Sequence, residues 1–275
     1  MKIAYQGIAG SYSESCAKEK YPNSETIPCK TFDECFEKAS NDNSIKTLIP
    51  ESNKTTGNIG VEYLIFKYRL NIYAEHFYSI NHNLLAIKGS KLSDIKNVFS
   101  HAQALSQSSE FIKKNNFNEN VRADTAGSAK YVSESKDKTK AAIASKLSAK
   151  IYNLEILKEN IQDDKNNVTR FLVMGNEIYQ PEIDNEKYIT SLLFKLKSKP
   201  AALYSALSGF AINGVNMTKL SSYAEKNSFS SFFFLCDIEG HIENKKIKNS
   251  LEELGLHCED MHVLGVYKSD KFREK

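Results

Sequence analysis

Arginine is scarce in this chain of 275 residues, although lysine and arginine together number 37. The chain has four arginines in all: Arg69, Arg122, Arg170 and Arg273. An arginine holds a carboxylate through two parallel hydrogen bonds, whereas a lysine acts as a point charge. One of the four stands in Thr169-Arg170-Phe171, between a hydroxyl and an aromatic ring. This triplet suits a site for a carboxylated small molecule, and the alternative interpretation is a strand entry with a surface arginine.

Other features that the sequence lacks exclude whole classes of protein. It has no run of about 18 apolar residues, so no helix is expected to span a membrane. The formal net charge is only +3 and the lysines are spread along the chain, which argues against nucleic-acid binding. The segment Met1–Gly7 has no apolar signal-peptide core and indicates a first β-strand, so we expect a cytoplasmic protein.

Cysteine occurs in an odd number and in no Cys-x-x-Cys pair. The five are Cys16, Cys29, Cys35, Cys236 and Cys258. This pattern argues against a disulfide framework and against a metal site. It favours buried thiols that pack as small apolar groups, and the alternative interpretation is a catalytic thiol.

Up to about residue 175, short apolar strands alternate with amphipathic helices, which is typical of an α/β layer structure. Ser11-Tyr12-Ser13-Glu14 and Thr31-Phe32-Asp33-Glu34 each have the form of a capping box and predict a helix start. Glu51–Gly60 predicts a polar loop that leads into a helix near Val61. The polar segment Gln180–Lys187 predicts a linker. Beyond it, Tyr188 to Tyr267 has the order βαββαβ, the ferredoxin-like arrangement.

Polar motifs of the first part fall where a strand ends and a helix begins. They are Gly7–Ser13, Pro50–Gly57, Ser100–Gln103 and Asp124–Ser128. Helix N-termini offer unpaired N–H groups that suit anions, and ligands collect at the carboxyl ends of strands in open α/β sheets. The sequence therefore predicts an anion-binding cleft. In the alternative interpretation Ser11 and Thr125 are ordinary N-caps, His101 is a loop histidine and Asn53 braces its turn.

Taken in order, these motifs resemble the prephenate dehydratase family from Lys2 to Tyr267. The matching segments are Tyr5–Ser13, Pro50–Gly57, Ser100–Leu105, Asp124–Ala129, Ala141–Ser145 and Asn167–Phe171. The resemblance implies a catalytic domain at 1–179, built from two α/β subdomains around a cleft, similar to type II periplasmic-binding folds. Subdomain 1 would take about 1–76 plus 168–179, and subdomain 2 about 77–167. A ferredoxin-like ACT regulatory domain would follow at 188–268, and with no chorismate mutase segment before Met1 we expect a monofunctional form.

The resemblance also implies the chemistry, which is the loss of CO2 and water from prephenate to give phenylpyruvate without a metal or organic cofactor. It makes Thr169 the catalytic hydrogen-bonding acid, Arg170 a carboxylate holder or loop brace, and Phe171 a wall of the cleft. The remaining substrate-binding candidates are polar: Ser11, Ser13, Asn53, His101, Gln103, Thr125 and Ser128. Phenylalanine would bind the ACT domain at Ala202, Leu203, Asn213, Val215, Asn216, Met217 and Thr218. ACT domains usually pair, so a homodimer or homotetramer is expected.

The sequence departs from the family at two places. With Pro50 and Gly57 in register, Glu51-Ser52 replaces an Ile-Glu pair and Lys54 replaces Ser or Thr, which predicts a rearranged but active pocket. In the C-terminal part, the segment 221–224 (Ser-Ser-Tyr-Ala) replaces Glu-Ser-Arg-Pro, the segment associated with phenylalanine response. The alternatives that remain are an arogenate dehydratase, a catalytically inactive amino-acid sensor and a solute-binding protein.

Overall fold

The computed structural model describes residues 1–225 and 231–274. The strands are β1 (Lys2–Gln6), β2 (Glu25–Cys29), β3 (Ile45–Asn53), β4 (Gly57–Asn58), β5 (Asn71–Ser79), β6 (Asn83–Ile87), β7 (Asn97–Ser100), β8 (Asn118–Val121), β9 (Lys140–Ala144), β10 (Leu154–Lys158), β11 (Val168–Gly175), β12 (Tyr188–Leu196), β13 (Met217–Ala224), β14 (Phe232–Glu239) and β15 (Cys258–Lys268). The helices are α1 (Tyr12–Lys20), α2 (Phe32–Asn41), α3 (Glu62–Tyr68), α4 (Ala102–Ser106), α5 (Ser109–Lys114), α6 (Thr125–Ser135), α7 (Lys146–Ile151), α8 (Ala202–Ile212) and α9 (Lys245–His257). Leu92–Asp94 and Lys271–Glu274 form short 3-10 turns.

The described strands form three sheets, which confirms the α/β class predicted from the sequence. One sheet has the order β2-β1-β3-β11-β5, with β4 paired to β3. A second has the order β10-β6-β9-β7-β8, and the third has the order β13-β14-β12-β15. The third order is that of a ferredoxin-like βαββαβ arrangement, as the sequence predicts. Residues 180–187 contain neither helix nor strand.

The chain divides into two compact units. The first comprises Met1–Cys35, Leu48–Ile59 and Tyr78–Arg170. The second comprises Phe36–Thr47, Gly60–Phe77 and the described part of 171–275.

In the first unit, the five-stranded sheet is apolar on both faces. Along β6, Leu84 and Ala86 belong to one buried cluster while Leu85 belongs to another, as the alternation of a strand requires. Leu105 of α4 and Ile112 of α5 complete the first cluster. Helices α6 and α7 complete the second through Ala129, Val132 and Ala149. Covering both faces fixes the register of these strands and hence the positions of the residues at their ends.

Helices α1 and α2 begin where the two predicted capping boxes place them, which confirms these predictions. Ser11 Oγ accepts from the backbone N–H of Glu14 at 3.2 Å. Thr31 Oγ1 accepts from the N–H of Glu34 at 3.1 Å. The glutamate differs from the usual box, because Glu14 accepts from the N–H of Gly10 at 2.6 Å, one residue before the cap. The box therefore orients the turn ahead of α1 as well as its first turn.

Gly10 itself has no room for a side chain. Its φ is +91°, and a Cβ built on it would lie 2.6 Å from Ser148 Oγ and 3.0 Å from Ser148 Cα. Its carbonyl accepts hydrogen bonds from Ser145 Oγ at 2.6 Å and Ser148 Oγ at 2.8 Å. The turn before α1 is thus held against the start of α7.

The second unit packs α8 and α9 on one face of its four-stranded sheet. Leu192, Phe194 and Ile238 are buried there together with Phe210 and Leu254 of the helices. This confirms that the apolar stripes of the two predicted helices face a common core.

The opposite side of that sheet meets other segments of the same unit. Phe233 lies against Phe66 of α3, with ring centroids 3.9 Å apart. Arg273 donates from Nε and Nη2 to the buried carboxylate of Glu75, at 2.6 and 2.8 Å. Phe272 stacks on Phe77 at 4.9 Å. The described C-terminal residues are therefore anchored to β5.

The segment that starts at Glu51 corrects a sequence prediction. Strand β3 continues through Glu51 and Ser52 to Asn53, so the expected loop beginning at Glu51 was wrong. Both Glu51 and Asn53 are buried, at 0 % and 6 % exposure. The polar composition suggested a loop because their buried partners lie far away in the sequence, as the site shows.

Candidate functional site

The site is built where β3 ends and β11 begins, inside the first unit. Asn53 is the last residue of β3, and Thr169 is the second residue of β11. Asn53 Nδ2 donates to Thr169 Oγ1 at 2.9 Å and to Asn167 Oδ1 at 2.8 Å. The backbone N–H of Lys54 donates to the carbonyl of Val168 at 2.8 Å and holds the two segments in place. Two residues predicted separately from the sequence are thus brought into direct contact.

Four polar side chains close a ring around this contact. Gln107 Nε2 donates to Thr55 Oγ1 at 2.9 Å, and Thr55 Oγ1 donates to Asn53 Oδ1 at 2.5 Å. Asn53 donates to Asn167, and Asn167 Nδ2 donates to Gln107 Oε1 at 2.9 Å. Every bond runs in the same direction around the ring, so each group polarises the next. Such a ring fixes Asn53 and leaves it little freedom of rotation.

The hydroxyl of Thr169 is the group in this arrangement that can donate a hydrogen bond to a ligand. Thr169 is 6 % exposed and accepts from Asn53. A threonine hydroxyl carries one hydrogen, and a group that donates to its oxygen does not accept that hydrogen. Its hydrogen is therefore directed away from Asn53. The geometry suits donation of a hydrogen bond to a group that acquires negative charge.

Arg170 contacts a carboxylate of the chain itself. Its Nη1 lies 3.3 Å from Glu51 Oε2, and the two side chains are 6 % and 0 % exposed. Ser52 Oγ donates to the same Glu51 oxygen at 2.9 Å. The glutamate that stands one residue earlier than in the family pattern thus serves as the partner of Arg170. This geometry supports the brace interpretation of Arg170.

The other candidates are distributed around the same unit. Ser11 is the N-cap of α1, whereas Asp124 rather than Thr125 caps α6 through its bond from Gly127 N. Ser13 is buried. The structure therefore supports the N-cap interpretation for Ser11 and corrects it for Thr125.

Candidates on α4 and α6 differ in exposure. His101 is exposed and caps α4 by accepting from the N–H of Gln103 at 3.3 Å. Gln103 donates to Thr56 Oγ1 at 3.0 Å, which places it beside the ring. Ser128 is fully buried and donates to the carbonyl of Asp124 at 2.8 Å. Phe171 is 2 % exposed.

Sequence reasoning missed Gln107, His82 and Tyr12. Gln107 lies four residues after Gln103, so the helical spacing of two glutamines was the available signal. His82 Nε2 lies 3.0 Å from Gln107 Oε1, and His82 Nδ1 lies 2.7 Å from the hydroxyl of Tyr12. Nothing local in the sequence links these residues. Burial lowers the pKa of His82 and raises the pKa of Tyr12, so both are neutral near pH 7.

The candidate effector residues lie in the second unit and fall into two groups. Ala202 and Leu203 begin α8, whereas the other five follow its end: Asn213, Val215, Asn216, Met217 and Thr218. A helix of 11 residues separates the groups by about 15 Å, so one chain does not bring them together. Asn216 Nδ2 donates to Glu239 Oε2 at 2.9 Å.

Among the residues described, no three His, Cys, Asp or Glu side chains are grouped so that they could hold a metal ion. All five cysteines are buried, as the sequence predicts. No helix in residues 1–225 and 231–274 has the length and apolar character needed to cross a membrane.

Comparison with known proteins identifies the family. The prephenate dehydratase family profile matches residues 3–178, so the chain belongs to this family. It is 36 % identical over 285 residues to arogenate dehydratase 2 of Petunia hybrida, covering 98 % of this chain and 72 % of that protein. It is also 36 % identical over 274 residues to a bifunctional N-acyl-homoserine lactone acylase/prephenate dehydratase of Komagataeibacter europaeus, covering 99 % and 98 %.

Solved structures agree with this assignment. The structure of GqqA, described as a novel type of quorum-quenching acylase, has a TM-score of 0.93 at 35 % identity and covers 99 % of this chain and all of that one. A prephenate dehydratase from Arthrobacter aurescens in complex with L-Phe has a TM-score of 0.88 at 25 % identity, with 98 % and 90 % covered. Members of the family are dehydratases of aromatic amino acid biosynthesis.

Proposed function

We propose that this chain converts prephenate to phenylpyruvate. The prephenate dianion takes up one proton and yields the phenylpyruvate anion, CO2 and water. The bond to the departing carboxylate breaks, its electrons complete the aromatic ring, and the ring hydroxyl leaves. The observation that carries the proposal is the Thr169 hydroxyl, which Asn53 orients inside a family-matched chain.

Aromatisation drives the reaction, so the protein has to orient the substrate and assist the leaving hydroxyl. Thr169 donates a hydrogen bond to that oxygen as negative charge develops on it. Threonine has no acidity near neutral pH, so the water that leaves takes its proton from solvent. Arg170 is already paired with Glu51 and braces the strand that carries Thr169. The remaining candidates for binding the substrate are Ser11, Ser13, His101, Gln103, Thr125 and Ser128.

Arogenate is the second candidate substrate, because several relatives are named arogenate dehydratases. It has an amino group where prephenate has a keto group, and the same leaving hydroxyl. The dehydration step at Thr169 would therefore be unchanged.

Purified protein is expected to turn over prephenate faster than arogenate. Phenylpyruvate and phenylalanine formation report the two reactions, and their kcat/KM ratio names the preferred substrate. An N-acyl-homoserine lactone is assayed beside them, because the Komagataeibacter relative carries both activities in its name. Failure of both ring substrates would refute the dehydratase proposal and leave the amino-acid sensor.

We further propose that residues 188–268 form an ACT module that binds L-phenylalanine between two copies of the chain. The ferredoxin-like order supports the module, and the Arthrobacter relative was solved with L-Phe. An effector that touches both ends of α8 needs a second copy, since one chain keeps the ends about 15 Å apart.

L-Phenylalanine is expected to raise the thermal midpoint and to change prephenate turnover. A ligand at 100 times its Kd stabilises the state that binds it by about 2.7 kcal/mol. Asn216→Ala should reduce the shift, whereas Asn120→Ala, which removes a half-buried amide of the first unit, should not. Light scattering checks for a dimer or tetramer. An unchanged midpoint and rate at saturating L-phenylalanine would argue that the segment 221–224 has abolished the response.

A further inference from the structure

The orientation of Asn53 is fixed by groups that can only donate. The backbone N–H groups of Thr55 and Thr56 point at Asn53 Oδ1, at 3.0 and 3.2 Å. The oxygen of the amide must therefore face this loop. Its NH2 group must face Asn167 and Thr169.

This orientation propagates along the chain of hydrogen bonds. The Thr55 hydroxyl donates to Asn53 and so must accept from the Gln107 NH2 group. Gln107 consequently presents its oxygen to Asn167 Nδ2 and to His82 Nε2. An oxygen needs a donor there, so His82 must carry a hydrogen on Nε2.

The second nitrogen of His82 is satisfied from the other side. In this tautomer Nδ1 accepts from the Tyr12 hydroxyl at 2.7 Å, and the Asn81 carbonyl, 3.0 Å from the same hydroxyl, competes for its one hydrogen. His82 is 2 % exposed, and its backbone N–H donates to Gln162 Oε1 at 2.9 Å. The imidazole is thus held in one plane with both nitrogens in use.

Provided that the proposed dehydration takes place at Thr169, we propose that His82 is a positioning residue for it. With its hydrogen on Nε2, His82 holds the Gln107 amide in one orientation. Through Thr55 and Asn167, Gln107 then reinforces the orientation of Asn53 that the backbone N–H groups of Thr55 and Thr56 set. Asn53 then keeps the Thr169 hydrogen directed at the leaving group. The members of the ring are amides and a hydroxyl, none of which titrates near neutral pH, so the ring orients and does not conduct protons.

Two amide substitutions separate the roles of the two nitrogens. His82→Gln places an amide near Nε2 and preserves a donor to Gln107, whereas His82→Asn places one near Nδ1 and removes that donor. His82→Asn is expected to lower kcat about tenfold with little change in KM, the loss expected for one hydrogen bond that supports the reacting geometry. His82→Gln should recover most of that loss. Equal losses in the two variants would overturn the proposal.

His241→Gln is the matched control. His241 is also buried, and both of its nitrogens are engaged, by Pro181 O and Glu243 N, in the second unit. Its kcat should match the wild type. Thermal midpoints of all three variants show whether a loss of rate reflects a loss of folded protein.

Nitrogen NMR of histidine-labelled protein tests the tautomer without any substrate. His82 is expected to show a protonated Nε2 and a bare Nδ1. Its signals are identified as those that disappear in His82→Gln. The reverse tautomer would overturn the proposal. A wild type that lacks turnover but shows the expected tautomer would refute the dehydratase function and the positioning role built on it, while confirming the hydrogen-bond ring.

Discussion

Replacing Thr169 by valine is expected to lower kcat by about 10²- to 10³-fold, the loss typical of removing one donor aimed at developing negative charge. Valine keeps the branched shape but has no hydroxyl. Asn53 retains its bond to Asn167, so the ring should persist with one unused N–H. KM should change little, because the interaction strengthens only as the hydroxyl leaves. Steady-state kinetics with prephenate measures both quantities.

Thr190→Val provides the matched control for this change. Thr190 is also buried on a strand, and its hydroxyl donates to the carbonyl of Gly240 at 2.7 Å in the second unit. It should lose stability without losing kcat. Thr169→Ser should retain much of the activity, since it keeps the hydroxyl. A valine variant with nearly normal kcat would remove Thr169 from the proposed mechanism.

The elements with strong local signals could be predicted from the sequence. Ser11-x-x-Glu14 marks the start of α1 because both partners lie within one turn. The order βαββαβ follows from the change of apolar period between strands and helices. The partners in these cases are close in the chain, so periodicity and capping chemistry identify them.

The site was predictable only in part, for a related physical reason. Thr169 and Asn53 were named from their motifs, but their contact spans 116 positions. Gln107 and His82 join through bonds that span 52 positions to Thr55 and 25 to each other. These bonds depend on how the strands and α4 come together, which no local pattern specifies.

Glu51 is a second residue whose local structure depends on a partner far away in the sequence. A glutamate followed by serine, asparagine and lysine indicates a solvated loop, yet the strand continues and buries the carboxylate. The reason is Arg170, which lies 119 positions away. A charged side chain can be buried when an opposite charge accompanies it. The pair of Glu51 and Arg170 therefore lets the strand continue where the local polarity predicted a loop.

Glu51→Leu is expected to destabilise the protein by about 3–5 kcal/mol, because it removes one charge of a buried ion pair and leaves the other charge buried. Arg170→Met should cost a similar amount by leaving Glu51 buried and charged. The double variant should be more stable than either single variant, since it removes both charges. Chemical denaturation measures the three free energies of unfolding, and the double-variant cycle isolates the coupling.

An exposed pair gives the control for this comparison. Lys146 and Glu159 lie 2.7 Å apart, but their side chains are 55 % and 51 % exposed. Glu159→Gln should therefore change the free energy of unfolding by less than about 1 kcal/mol, since water screens the pair. The contrast follows from burial, because the exposed pair is the shorter of the two. If Glu51→Leu were as mild as Glu159→Gln, the role of Arg170 as a brace for Thr169 would not depend on the displaced glutamate.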